Sequence, residues 1–329
     1  MTTSVREIPA TKQEKKIVQT AVEKLTKKPS SLKAVVPEKI EKRLKLFVYG
    51  ESGVGKTTAA IQFGDAYIID TEHGSDFYSE SISKNGSVVF HSNIFSEVKQ
   101  ELENLLTEDH SFKTLIIDPI TPLYHSIQEE WARRFESQLR DKGNDKAAEM
   151  GDFGMRFWGK VKSDYKAIQR LILRLDMNVI VTAHQKDVYG ANSSKVGVAP
   201  DSMKGDGYFF DNVIRLEKRG KDRIAVVEKE RAEIGKNKFP EEFIWSYENF
   251  KKFYGAEVIE RKTKPVAMAT KEQVRRLEAL IETVKIDAEV VEKWLVKADS
   301  DRFADFTEDQ IVKCIVFVEN KLNNLGGAK

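Results

Sequence analysis

Cysteine is almost absent from this 329-residue chain: Cys314 is its only one. A single thiol excludes a disulfide framework and a cysteine-rich zinc site, and it fits a reducing compartment. Long apolar runs are missing as well. No stretch approaches the length that spans a bilayer, and the N-terminus has no signal-peptide core, so the expectation is a soluble cytoplasmic protein with no membrane partner. Net charge is the third scarcity, +2 from 54 basic and 52 acidic residues. It is unevenly spread, because Lys12, Lys15, Lys16, Lys24, Lys27, Lys28, Lys33, Lys39 and Lys42 crowd the first 42 residues. That basic arm suits nucleic acid or, equally, a solvated tail.

What is present is more specific. Gly50-Glu51-Ser52-Gly53-Val54-Gly55-Lys56-Thr57 is a complete G-x-x-x-x-G-K-T phosphate loop. Leu46-Phe47-Val48-Tyr49 before it reads as a buried strand, and Thr57 to Phe63 after it reads as a helix. Glycines let the backbone amides wrap a polyphosphate, the helix N-terminus adds a positive dipole, Lys56 reaches the β- and γ-phosphates, and Thr57 can hold Mg²⁺. Glu51, Ser52, Val54 and Thr58 complete the expected binding set for ATP.

From Leu44 to about Tyr254 short apolar strands alternate with helical stretches. The strands are expected at Leu46 to Tyr49, Tyr67 to Asp70, Val88 to His91, Thr114 to Asp118, Val179 to Ala183, Asn212 to Leu216 and Ile224 to Lys229. The helices are expected at Thr57 to Phe63, Ser96 to Leu106, Leu123 to Leu139 and Phe157 to Leu175. This alternation predicts an α/β core over 43–260, a mostly parallel sheet covered on both faces with an antiparallel edge hairpin. Past Lys264-Pro265 three amphipathic helices, Lys271 to Val284, Ala288 to Lys297 and Glu308 to Leu322, form a small all-α module over 270–325, two of them opened by Thr-x-x-Gln caps at Thr270 and Thr307.

Thr114-Leu115-Ile116-Ile117-Asp118 is an apolar strand ending in an acid, which can orient Mg²⁺ opposite Thr57. Ile68-Ile69-Asp70-Thr71-Glu72-His73-Gly74-Ser75-Asp76 resembles the I-D-x-E-H-x-x-D segment of RecA-type recombinases. The resemblance, which spans about Leu44 to Tyr254, implies a RecA-like P-loop ATPase core. It gives Glu72 the role of activating the attacking water and Asp76 a contact to adenine, and it places the family's base-stacking tyrosine on Ser79, one residue past Tyr78. It makes His184, at the end of Asn178-Val179-Ile180-Val181-Thr182-Ala183, the polar sensor of the γ-phosphate, with Gln185 next in line.

Lys186 to Gly207 is rich in turn formers and reads as a mobile loop. It matches the family's second DNA loop, with Lys186, Lys195 and Lys204 as phosphate contacts and Tyr189 as a stacking residue; Asp141 to Phe157 is the candidate first loop. Lys229 and Arg231, two apart on one face of a strand, match a cation pair that reaches a neighbouring subunit's γ-phosphate, which implies a homo-oligomer. Short cores of this kind followed by a helical module look like phage RecA-like single-strand annealing or recombination proteins. The resulting expectation is a DNA-stimulated ATPase that binds single-stranded DNA and promotes annealing or strand exchange in a bacterial host cytoplasm. A ring-forming helicase-like motor and a nucleotide-stabilised binding module are the alternatives. The slightly acidic helical module suits a protein partner such as a single-strand binding protein or nuclease.

Overall fold

The computed structural model describes residues 43–151, 153–190, 192–231, 238–261, 267–298 and 300–326, with backbone alone for the last four. The basic arm over 1–42 and the linker through Lys264-Pro265 lie outside the described residues. The chain from Arg43 onward is one compact unit.

Its centre is a sheet of strands β1 (Lys45–Gly50), β2 (Ala66–Asp70), β3 (Val88–His91), β4 (Thr114–Asp118), β5 (Asn178–Tyr189), β6 (Lys195–Pro200), β7 (Asn212–Arg219), β8 (Asp222–Lys229) and β9 (Glu242–Ile244). Their order is β3-β2-β4-β5-β1-β7-β8-β9, with β6 attached to β5. From β3 to β7 every pairing is parallel, and β8 and β9 turn antiparallel at the edge. The mixed α/β class expected from sequence is thus the one found, including its antiparallel edge and its C-terminal helices.

Period-two alternation explains why the central strands are apolar throughout. Leu46 and Val48 join Ile68, Ile116, Ile180 and Ile214 on one face. Phe47 and Tyr49 join Ile69, Leu115, Ile117, Val179 and Val181 on the other. Both faces are covered, so neither half of the alternation is polar. The second face carries the helix Phe95–Thr107, which buries Val98, Leu102, Leu105 and Leu106, and the helix Gly154–Arg174, which buries Phe157, Val161, Tyr165, Ile168 and Ile172. These positions recur every three or four residues, as one helical stripe requires.

The segment expected as a mobile loop is instead largely a hairpin. β5 continues six residues beyond Ala183, and β6 pairs back on it with Lys186 opposite Ala199 and Val188 opposite Gly197. Val188, Val196 and Val198 supply the alternation; of the turn formers that obscured it, Gly190, Asn192, Ser193 and Ser194 fall between the arms, while Gly197 and Pro200 are absorbed into β6. The stretch proposed as the other loop holds a short helix, Asp145–Met150.

Beneath the sheet's N-terminal edge lies Lys45, a buried amine that donates to the carbonyls of Ile172, Leu175 and Met177 at 3.0, 3.2 and 3.1 Å. It caps the end of the helix Gly154–Arg174. Burial pushes its pKa down to about 7, against the raising effect of Asp211 and Asp176. Below pH 7 the folded and unfolded chains both hold this proton, and stability is insensitive to it. Between about 7 and 10.5 the unfolded chain alone keeps the proton, so this group makes stability rise with pH. Urea unfolding of the chain and of Lys45→Met at pH 7 and 9.5 should show a smaller rise in the variant; an equal rise would remove Lys45 as its source.

The C-terminal helices Lys271–Val284, Ala288–Lys297 and Glu308–Gly326 enclose a core of their own around Leu277, Phe306, Ile311, Ile315 and Val318. Both Thr-x-x-Gln caps close reciprocally: Gln273 N donates to Thr270 Oγ1 at 3.1 Å and Gln310 N to Thr307 Oγ1 at 3.3 Å, while each glutamine accepts from its threonine amide. Polar ties join this core to the sheet's helices. Arg170 meets Asp301 at 2.8 Å, Arg174 donates to Ser300 Oγ at 2.7 Å and to the Ala298 carbonyl at 3.1 Å, and Arg302 meets Glu103 at 3.0 Å.

Candidate active site

The C-terminal ends of the parallel strands converge on one cleft. Sheet register sets Asp70 opposite Asp118, and Gly50 opposite His184, so the residues that follow β1, β2, β4 and β5 meet where an open α/β sheet binds ligands. The cleft, of about 520 Å³, is lined by Gly50, Ser52, Gly53, Gly55, Lys56, Thr57, Thr58, Glu72, Tyr78, Asp118, Pro119, His184, Gln185 and Arg223.

The loop after β1 has the shape a polyphosphate needs. Gly53 and Gly55 have φ of 71° and 99°, a left-handed backbone that side chains resist, and nothing lies within 4 Å of where a Gly53 Cβ would stand. Gly50 is required for another reason, since a Cβ there would sit 2.5 Å from the Leu216 carbonyl oxygen. Lys56 Nζ donates to the Gly50 and Glu51 carbonyls at 3.0 and 2.9 Å. Burial lowers its pKa, while the charges of Asp118 and Glu72 act against that.

Asp118 is buried at the tip of β4 and accepts from the Thr182 hydroxyl. Burial raises its carboxyl above the ordinary range; the hydroxyls of Thr182 and Thr57 oppose this, and the neighbouring charges of Asp70 and Glu72 add to it. A divalent cation would relieve that penalty. Thr57 and Asp118 offer the hard oxygen donors that suit Mg²⁺, so the residues present fit both the nucleotide and its metal.

Glu72 stands across the cleft. Its Oε2 lies 3.0 Å from His184 Nε2, with both side chains about two-fifths exposed. The turn that carries it is anchored by Asp70, whose two oxygens accept from the amides of Glu72 at 3.1 Å, Gly74 at 3.2 Å and Ser75 at 2.8 Å, and from the Ser75 hydroxyl. Burial alone would raise the Asp70 carboxyl, but the donors from Ser75, Glu72 and Gly74 hold it below its ordinary value. His184 is fixed through its backbone: its amide donates to Thr121 Oγ1 at 3.0 Å, and its carbonyl accepts from Asp201 N at 2.7 Å.

The structure therefore brings together the phosphate loop, Thr58, Glu72, Asp118, His184 and Gln185. Three other expected residues lie elsewhere. Asp76 is outside the cleft lining and faces His73 and His91; Tyr78 lines the cleft instead, its hydroxyl 3.1 Å from Thr58 Oγ1. Lys229 sits opposite Val213, which is level with Phe47, so Lys229 and Arg231 lie toward the sheet edge opposite the phosphate loop. Lys229 Nζ donates to the carbonyls of Gly207, Tyr208 and Phe210 at 2.7, 3.2 and 2.6 Å. Arg231 Nε lies 3.2 Å from Asp211.

The cleft's additional cation is Arg223, at the opposite end of β8 from Lys229, with Nε 3.5 Å from where a Gly55 Cβ would stand. Its signal in sequence is faint. Arg223 precedes an apolar run and resembles an edge charge until the β7–β8 turn is known to fold it over the loop.

On the hairpin, Lys186 pairs with Asp201 at 3.0 Å and Lys195 with Asp187 at 2.7 Å; Lys204, in the turn beyond β6, is exposed. Tyr189 and Val196 are 62% and 64% exposed, leaving the tip with uncovered aromatic and aliphatic surface.

A family model described as AAA domain matches residues 42–239. No curated protein matches the chain at a significant level. The crystal structure of the RadB recombinase is similar over 57% of this chain and 83% of that chain, at 19% identity and a TM-score of 0.32, a likeness too loose to bear on the site.

Proposed function

The chain belongs to the AAA-domain family, and from that premise we propose that it hydrolyses ATP in the cleft and couples hydrolysis to single-stranded DNA, for annealing or strand exchange. The observation that carries the chemistry is the Glu72–His184 pair, 3.0 Å apart, facing Lys56 and Asp118 across one cleft. Glu72 takes the proton from water as its oxygen attacks the γ-phosphorus, and the bond to the β–γ bridging oxygen breaks to release ADP and phosphate. Lys56 and the loop amides hold the charge that develops on the phosphoryl oxygens. Mg²⁺, held by Thr57 and Asp118, would neutralise charge on the β- and γ-oxygens when bound. His184, which also lines the cleft, fixes the Glu72 carboxylate and would sense the γ-phosphate.

The DNA reading rests on continuity. β5 runs from His184 in the cleft to Tyr189 at the exposed hairpin, with its pairing register shifting only between Val188 and Tyr189, and the far arm returns to bond His184 through Asp201. A shift at His184 is transmitted to the surface where an aromatic ring can stack on bases. The test is steady-state ATP hydrolysis with and without single-stranded DNA. A rise with DNA supports the reading, whereas turnover indifferent to DNA would leave an ATPase with some other partner.

For an assembled form we retain the cation pair as trans-acting, with Arg231 ahead of Lys229, whose amine is already taken by three carbonyls. Mixing Arg231→Ala with Glu72→Gln protein should restore part of the activity at mixed interfaces. No recovery despite verified co-assembly would remove the trans role.

A further inference from the structure

We propose that His73, Asp76 and His91 bind a divalent first-row transition ion, with Zn²⁺ the simplest case, at a site apart from the phosphate loop. One donor atom from each of the three lies within 4.8 Å of the others. His91 Nε2 is 3.6 Å from Asp76 Oδ1, and His73 Nδ1 is 3.9 Å from Asp76 Oδ2. The two imidazoles lie face to face with centroids 4.6 Å apart.

Two separate segments build this cluster. His91 ends β3, where parallel pairing sets it opposite Asp70. His73 and Asp76 belong to the turn that leaves β2. His73 holds a left-handed backbone, φ 61°, which is uncommon for a residue other than glycine and brings its ring over His91. The stacked rings hold their lone pairs in parallel planes, and the donors are somewhat too far apart for bonds of about 2.0–2.1 Å to a common ion, so binding requires the His73 ring to rotate; the side chains of His73 and Asp76 are 69% and 56% exposed and have room to do so.

The support behind the cluster is what a metal site requires. Asp70 is fully buried, and its Oδ2 lies 3.5 Å from His91 Nδ1. A carboxylate there can accept from Nδ1–H and so leave Nε2 bare toward Asp76, the arrangement that orients metal-bound histidines. Two imidazoles and one carboxylate suit Zn²⁺ or its first-row neighbours, while Mg²⁺ prefers oxygen alone. Asp70 also holds the Glu72 amide, so an ion bound here would stiffen the turn that carries Glu72. Asp76 is thereby assigned to the ion and not to adenine.

The probe is Co²⁺, whose visible absorption reports nitrogen ligation and low coordination number. It is titrated into the full chain in excess Mg²⁺ without nucleotide, so the outcome does not depend on the ATPase reading. The expected result is one Co²⁺ per chain, displaced by Zn²⁺ and bound at least about tenfold more weakly by His91→Gln and by His73→Asn. Asparagine is chosen because it tolerates the left-handed backbone, and a melting curve establishes that each variant is folded. Asp118→Asn should bind Co²⁺ undiminished. Absence of visible bands in the unaltered chain, undiminished affinity in both histidine variants, or loss of binding in Asp118→Asn would each overturn the site.

Discussion

Glu72→Gln should slow ATP hydrolysis by about 10²–10⁴-fold while nucleotide binding persists, because the amide is nearly the same shape yet cannot take a proton. Geometry sharpens the expectation. Glu72 Oε2 and His184 Nε2 are 3.0 Å apart, so the two side chains act as a unit and their losses should not add. Single-turnover rates of Glu72→Gln, His184→Ala and the double variant test this. If the double variant loses the product of the two single factors, His184 works independently of Glu72. An unchanged rate in folded Glu72→Gln would place the base elsewhere.

Lys56→Ala should lower turnover by about 10²–10³-fold or more, the scale on which a preorganised charge at the transferred phosphoryl group acts. Among the described residues the amine bonds to loop carbonyls alone, those of Gly50 and Glu51, and the sheet beneath packs through Leu46, Val48 and Ile214 without it. The variant should therefore melt close to the unaltered chain. Near-normal turnover by folded Lys56→Ala would end the phosphate-loop reading. Arg223→Ala serves as the comparison: it removes the cleft's other nearby cation, carried on β8, and leaves the loop's own lysine in place.

Much of the architecture was legible because it is local. The strand before the phosphate loop, the acid at the tip of β4 and the two reciprocal helix caps each depend on residues within a few positions of one another. What stayed hidden depends on pairing. Whether the cations at and just past the end of β8 face the phosphate loop follows from the direction of the β7–β8 hairpin, and that direction puts Arg223 at the cleft and Lys229 at the far edge. The hairpin of β5 and β6 was concealed by glycine, asparagine and serine between its arms. His91 likewise reads as an ordinary strand end until parallel register sets it beside Asp70, and only then do His73 and Asp76 acquire a third companion.

The amine of Lys45 bears on how the molecule comes apart. It grips the last turn of the helix Gly154–Arg174, and Arg170 and Arg174 near the same end bond Asp301 and Ser300 in the segment that joins the last two C-terminal helices. The turn is therefore a shared keystone. Loosening it frees the first strand's entry point and the C-terminal helices together, so slow amide exchange in these two distant segments should share one opening event, even though each packs around its own core.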